Sequence, residues 1–149
     1  MDVRAQNDKW RANNPERVKE NRRRYEKIKM EDPAYRLEKS ISTGVRKGII
    51  SGSKAARSTF ALLEYTVDEL RAHLEEQFQP GMSWDNYGRN GWHVDHKIPL
   101  SAHNYQTPDD IDFKKAWALS NLQPLWEADN ISKGAKLSAP FQPSLALAA

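Results

Sequence analysis

The chain predicts an α+β fold, a mainly helical N-terminal part followed by a small strand–strand–helix element. Three observations carry that prediction. Residues 14–49 carry two helix start signals, and after the second of them Leu37, Ile41, Val45 and Ile49 recur at every fourth position. Two short alternating runs, Trp92–His96 and Leu122–Trp126, have the length of strands. The second run leads directly into a polar stretch suited to a helix, from about Ala128 to Lys136.

With 149 residues the chain is sized for one domain, here with an appended arm. Hydrophobic residues make up only 38%, low for a compact globule, so part of the chain is expected to extend over something else. No apolar run reaches the length of a membrane span, and Met1–Asp8 has no apolar signal segment. Cysteine is absent, which excludes disulfides and thiolate zinc sites and agrees with a cytosolic location. The net charge of +3 is unevenly placed. Residues 1–57 hold sixteen Lys/Arg against eight Asp/Glu, an excess of +8; residues 58–149 hold seven against twelve, a deficit of 5. A basic half joined to an acidic half suggests a phosphate-binding arm beside a body that carries carboxylates.

Residues 1–13 show no periodicity and are expected to be loose. Asn14-Pro15-Glu16 starts a helix running to about Met30: Asn as N-cap, Pro in the first turn, and an acid at the positive helix end. Its apolar positions are sparse, and Arg22, Arg23 and Arg24 are consecutive. Asp32-Pro33 restarts a second helix, in which Leu37, Ile41, Val45 and Ile49 form a core-facing stripe with Arg46 and Lys47 largely off it. Residues 51–59 read as a linker. Thr66-Val67-Asp68-Glu69 is a capping box opening a third helix, with Val67, Leu70, Leu74 and Phe78 inward and Gln79-Pro80-Gly81 as its stop. A turn-rich aromatic stretch, residues 82–88, follows. Residues 97–111 are expected as a long loop and Asp112–Leu119 as a short helical turn. Pro124 argues for an edge position of the second strand.

The chemistry concentrates at Asp95 and His96. An imidazole titrates near neutrality and can take a proton from water. Carboxylate and amide oxygens, as on Asp95 and Asn130, are hard donors of the kind Mg²⁺ prefers. In an ideal strand the adjacent Asp95 and His96 point to opposite faces, so one site can use both only if the strand ends or bends there. His93 shares a face with Asp95; it is a further site residue or simply an exposed strand position. Lys133 and Lys136 can hold phosphate or complement the C-terminal end of the last helix. His73 and His103 read as surface residues, and the tryptophans as core.

The strings Trp92-His93-Val94-Asp95-His96-Lys97-Ile98-Pro99-Leu100 and Asn121-Leu122-Gln123-Pro124-Leu125-Trp126, with Asn130 beyond, resemble the HNH nuclease family in its HNN form. With Pro80–Gly88 they are similar to small bacteriophage and prophage HNH endonucleases. The resemblance covers roughly the last third of the chain. It implies a C-terminal ββα-metal motif and metal-dependent hydrolysis of double-stranded DNA, as a nick or a double-strand break. His96 would be the general base, and Asp95 and Asn130 the ligands of one divalent ion. Asn121 would pin the loop backbone so that His96 is aimed. The ion would be Mg²⁺, with Mn²⁺ as an alternative; an amide in place of a final His makes Zn²⁺ less suitable.

On this reading residues 1–57 are a basic DNA-binding arm with Arg22, Arg23, Arg24, Arg46 and Lys47. Residues 58–90 are a helix and aromatic turn on the core, 91–137 the nuclease motif with Lys133 and Lys136 also facing DNA, and 138–149 a tail. The resemblance implies the cytoplasm of a bacterial host, and a double-strand break would call for a homodimer or two visits. Two other readings stand beside it: a non-catalytic DNA-binding protein of the same fold, and a ribonuclease.

Overall fold

A computed structural model of the chain describes residues 2–49 and 57–144. The fold is α+β, with seven α-helices among the described residues and a two-stranded antiparallel sheet. It divides into two units, residues 1–36 and 37–149, so the stripe that begins at Leu37 belongs with the second unit.

In the first unit, α1 (Val3–Asn13) is followed by α2 (Pro15–Lys29). Finding α1 overturns the expectation of a loose N-terminus. The helix buries no residue, so no apolar period announces it. Local chemistry holds it instead: the Asp2 carboxylate accepts the Arg4 N–H at 3.0 Å, and the interior is rich in good helix formers. α2 starts with Pro15 in the first turn and ends with Lys27 and Lys29 against its negative pole. It too buries nothing. Asp32 caps α3 (Pro33–Gly48) by accepting the Ala34 N–H at 2.9 Å.

In the second unit, Leu37, Ile41 and Val45 of α3 enter the core, as their spacing predicts. Gly44 lets this helix come close to an indole: a Cβ there would stand 2.8 Å from the Trp117 ring. Most of the linker segment lies outside the described residues. Its end does not stay irregular, since Ser58 caps a short helix, α4 (Thr59–Leu63), that the sequence did not signal. α5 (Val67–Glu75) opens on the expected capping box, with the Glu69 N–H donated to Thr66 at 3.1 Å and the Thr66 N–H to Glu69 at 2.7 Å. It stops before Gln79-Pro80-Gly81, a turn early, and this releases Phe78 to join an aromatic cluster. Phe78 and Trp84 lie edge-on to Trp92 at 4.9 and 5.1 Å, and Tyr87 is tilted against it at 4.7 Å. Trp92 is fully buried and its indole N–H is donated to the Ser83 carbonyl at 2.7 Å.

β1 (Trp92–His96) pairs with β2 (Leu122–Trp126) in a register that sets Trp92 opposite Trp126 and His96 opposite Leu122. Between them run a single 3₁₀ turn at Leu100–Ala102, α6 (Ile111–Trp117), and a second 3₁₀ turn at Leu119–Asn121. In a two-stranded sheet both strands are edges, so Pro124 breaks no ladder on a further neighbour. β2 passes without a loop into α7 (Glu127–Lys133), shorter than the expected span to Lys136. Gly91 fastens that junction. Its carbonyl accepts the Glu127 N–H at 2.9 Å, and a Cβ at Gly91 would collide with the Asn86 carbonyl. No helix among the described residues is long and apolar enough to cross a membrane.

Candidate active site

β1 ends at His96, and the turn after it is held by one buried amide. Asn121 Oδ1 accepts the Ile98 N–H at 2.8 Å; its Nδ2 is donated to the carbonyls of Ile98 (3.1 Å) and Ala116 (2.9 Å). The Lys97 N–H is donated to the Asn121 carbonyl at 2.8 Å. One side chain thus joins the exit of β1, the end of α6 and the start of β2. Each unsatisfied partner would cost about 1–3 kcal/mol in a buried setting.

Asp95 is only 7% exposed, and both its carboxylate oxygens are engaged. Gln123, its cross-strand partner, donates to Oδ2 at 2.8 Å. Lys133 of α7 donates to Oδ1 at 3.0 Å and to the His96 carbonyl at 2.6 Å. The ammonium therefore lies between two oxygens of β1. Asn130 is one helical turn before Lys133, so the two are neighbours on the surface of α7. The strand–helix junction at Trp126–Glu127 is what turns α7 back along β1.

The His96 ring packs edge-on against Trp117 at 4.5 Å, and its Nε2 is buried without a protein partner among the described residues. Burial lowers its pKa to about 4; the negative Asp95 opposes that shift, while His103 and Lys133 add to it. At neutral pH the imidazole is therefore uncharged and able to accept a proton.

The other sequence candidates fall in different places. The His93 Nε2–H is donated to the Gly88 carbonyl at 3.0 Å, which takes that nitrogen out of use as a metal ligand or as a donor to phosphate. His73, expected at the surface, is half-buried; it and Gln77 donate to the Leu122 carbonyl and tie α5 to β2. His103 is also half-buried, its ring 4.8 Å from that of Phe141, and burial lowers its pKa. No local pattern marks either residue, because both are covered by segments distant in the chain. Lys133 and Lys136, with Asp129 and Ser132, line an open depression of about 400 Å³ along α7. A larger cavity of about 610 Å³ lies against α5 and α6; it shares Trp117 with the site but not Asp95, His96, Asn121 or Asn130. In the first unit Arg22, Arg23 and Arg24 are exposed on α2, with no ion pair to an acid among the described residues. Arg46 and Lys47 are exposed in the last turn of α3. Among the described residues no group of three or more His, Cys, Asp and Glu is placed to hold a metal ion.

No family model and no solved structure matches the chain. Over 80% of its length it is 28% identical to the uncharacterized protein L426 of Acanthamoeba polyphaga mimivirus. The chain spans 56% of that relative's length.

Proposed function

We propose that the chain is a metal-dependent endonuclease of the HNH type, hydrolysing phosphodiester bonds of double-stranded DNA. One observation carries the reading. The Asn121-clamped end of β1 presents a buried carboxylate, Asp95, and a neutral imidazole, His96, beside the α7 face that bears Asn130 and Lys133. The donor chemistry fits one hard divalent ion. Asp95 offers a carboxylate oxygen and Asn130 an amide oxygen, and the oxygens of Asp95 and His96 already converge on a positive charge, that of Lys133. Asp95 and Asn130 would hold Mg²⁺ or Mn²⁺, which supplies Lewis acidity at the scissile phosphate and leaving oxygen.

His96 takes the proton of the attacking water; being neutral at pH 7, it needs no prior deprotonation. Asn121 is a positioning residue, acting through the backbone of Ile98. Lys136 and the exposed arginines of α2 supply positive charge for phosphates without reading sequence.

Incubation with supercoiled plasmid and Mg²⁺ or Mn²⁺, with EDTA as control, tests the reading. Nicked or linear product that EDTA suppresses is expected. Intact plasmid, with the DNA bound but uncut, would instead support a non-catalytic DNA-binding protein. The seating of Lys133 on Asp95 is the observation that favours this second reading. Cleavage of RNA in place of DNA would move the same site to a ribonuclease.

A further inference from the structure

We infer that Lys133 is a built-in competitor for the cation position on Asp95, and that it sets how tightly the site takes a divalent ion. The inference rests on the metal-site reading above and concerns a residue to which that reading gives no part in ion binding.

A buried carboxylate is costly. Asp95 is 7% exposed, and an ionised group so far from water needs a counter-charge or strong donors. Gln123 satisfies Oδ2 but brings no charge. The counter-charge is Lys133, 3.0 Å from Oδ1. A second, independent contact fixes its place: the same ammonium is 2.6 Å from the His96 carbonyl oxygen, which belongs to the last residue of β1. A carboxylate oxygen and a carbonyl oxygen converging on one cation form the kind of oxygen cradle that hard metal ions use.

An ammonium and a divalent ion cannot share Oδ1. Their mutual repulsion a few ångströms apart would be large in a site this dry. Ion binding therefore requires Lys133 to leave. The side chain can do so, since it is 20% exposed, sits in the last turn of α7, and has a four-carbon stem free to swing into the open depression beside Ser132 and Lys136. The apparent affinity of the site is then the intrinsic affinity multiplied by the fraction of molecules in which Lys133 is away. The metal-free protein is folded and charge-balanced at Asp95, at the cost of a weaker hold on the ion.

Calorimetric titration with Mn²⁺ of the wild type, Lys133→Met and Lys136→Met tests this, together with melting temperatures in EDTA and in excess Mn²⁺. Lys133→Met keeps the length of the stem and removes the charge. It is expected to bind Mn²⁺ about tenfold or more tightly than the wild type, as it would if Lys133 holds Asp95 about nine-tenths of the time. It is also expected to melt lower in EDTA and to gain more from Mn²⁺. Lys136→Met, which removes an equal charge from the same surface, is expected to match the wild type. Equal affinity in all three proteins, or equal tightening in both variants, overturns the competitor role while leaving the ion site intact. Absence of Mn²⁺ binding in every protein, Lys133→Met included, overturns the metal-site reading and this inference with it.

Discussion

The two units of this chain form helices by different means. α1 and α2 bury no residue, and Trp10, Tyr25 and Ile28 are exposed. They exist through the Asp2 cap of α1, Pro15 at the first turn of α2, and good helix formers; the Asn14 side chain does not cap α2 as expected but donates back to the Trp10 carbonyl at 2.8 Å. From Leu37 onward burial holds α3 to α6 and the two strands: Leu37, Val45, Leu70, Leu74, Trp92, Phe113 and Leu122 are fully enclosed, while α7 is held through its junction with β2 and the Lys133 contacts. Each means of support suits a different kind of work. A helix without a buried face keeps its side chains for solvent or for a partner, and most of those on α2 are charged, with Arg, Lys and Glu all present. A site that must hold a carboxylate and an imidazole out of water needs the packed unit, and Asp95, His96 and Asn121 are all there.

If the proposed nuclease reading holds, the greatest change from a single substitution is catalytic, and it falls in the packed unit. His96→Ala is expected to reduce plasmid cleavage by about 10²–10⁴-fold while DNA affinity, measured in EDTA, stays close to wild type. Cleavage at the wild-type rate would remove His96 from the role of base.

Next comes a matched pair of tryptophans. Trp92→Ala empties a fully buried position that touches three other rings, and a loss of about 3–5 kcal/mol is expected. Trp10→Ala alters an exposed position and should stay within about 0.5 kcal/mol. Denaturant unfolding of both variants checks this. Similar losses would erase the distinction between a packed unit and a capped one.

The pH dependence offers a smaller test. Asp112 is enclosed; burial raises its pKa, but N–H groups donated by Asn104 and Ser144 outweigh that and leave it below the usual carboxylate value of 3.8. A depressed carboxyl contributes stability that is fully present above its unfolded pKa and is lost as pH falls through the folded one. The wild type should therefore lose stability below about pH 4, and Asp112→Asn should flatten that part of the profile. Melting temperatures from about pH 6 down to about pH 3 give the slope. An unchanged acid limb in the variant would show that this carboxyl is not a source of it.

The slightest effect on stability should come from the arm. Replacing Arg22, Arg23 and Arg24 with Ala should barely move the melting temperature. It should weaken DNA binding about equally on unrelated sequences. The salt dependence should become shallower by roughly 0.9 log units for each phosphate that is no longer neutralised. Binding isotherms at several salt concentrations read both quantities. An unaltered slope and affinity would take these three arginines out of any DNA interface.

The features legible in the chain alone are local. Pro15, Asp32-Pro33, the Thr66–Glu69 box, the four-residue stripe of α3 and the limits of both strands are all written within a few residues, because caps, turns and periodic faces are short-range hydrogen bonds and geometry. Where those cues are silent the sequence misled: α1 has no apolar face to announce it, and Phe78 leaves its helix for an aromatic cluster assembled from residues 84–92. Tertiary structure settled the remainder. Asn121 meets Ile98 across 23 positions, Lys133 meets Asp95 across 38, and His73 meets Leu122 across 49. Such pairs depend on how β2 returns beside β1 and on the turn at Glu127, and no pattern within one segment encodes its partner in another. That is why Asp95 and Lys133 could each be singled out as polar residues of interest, while the ion pair between them could not.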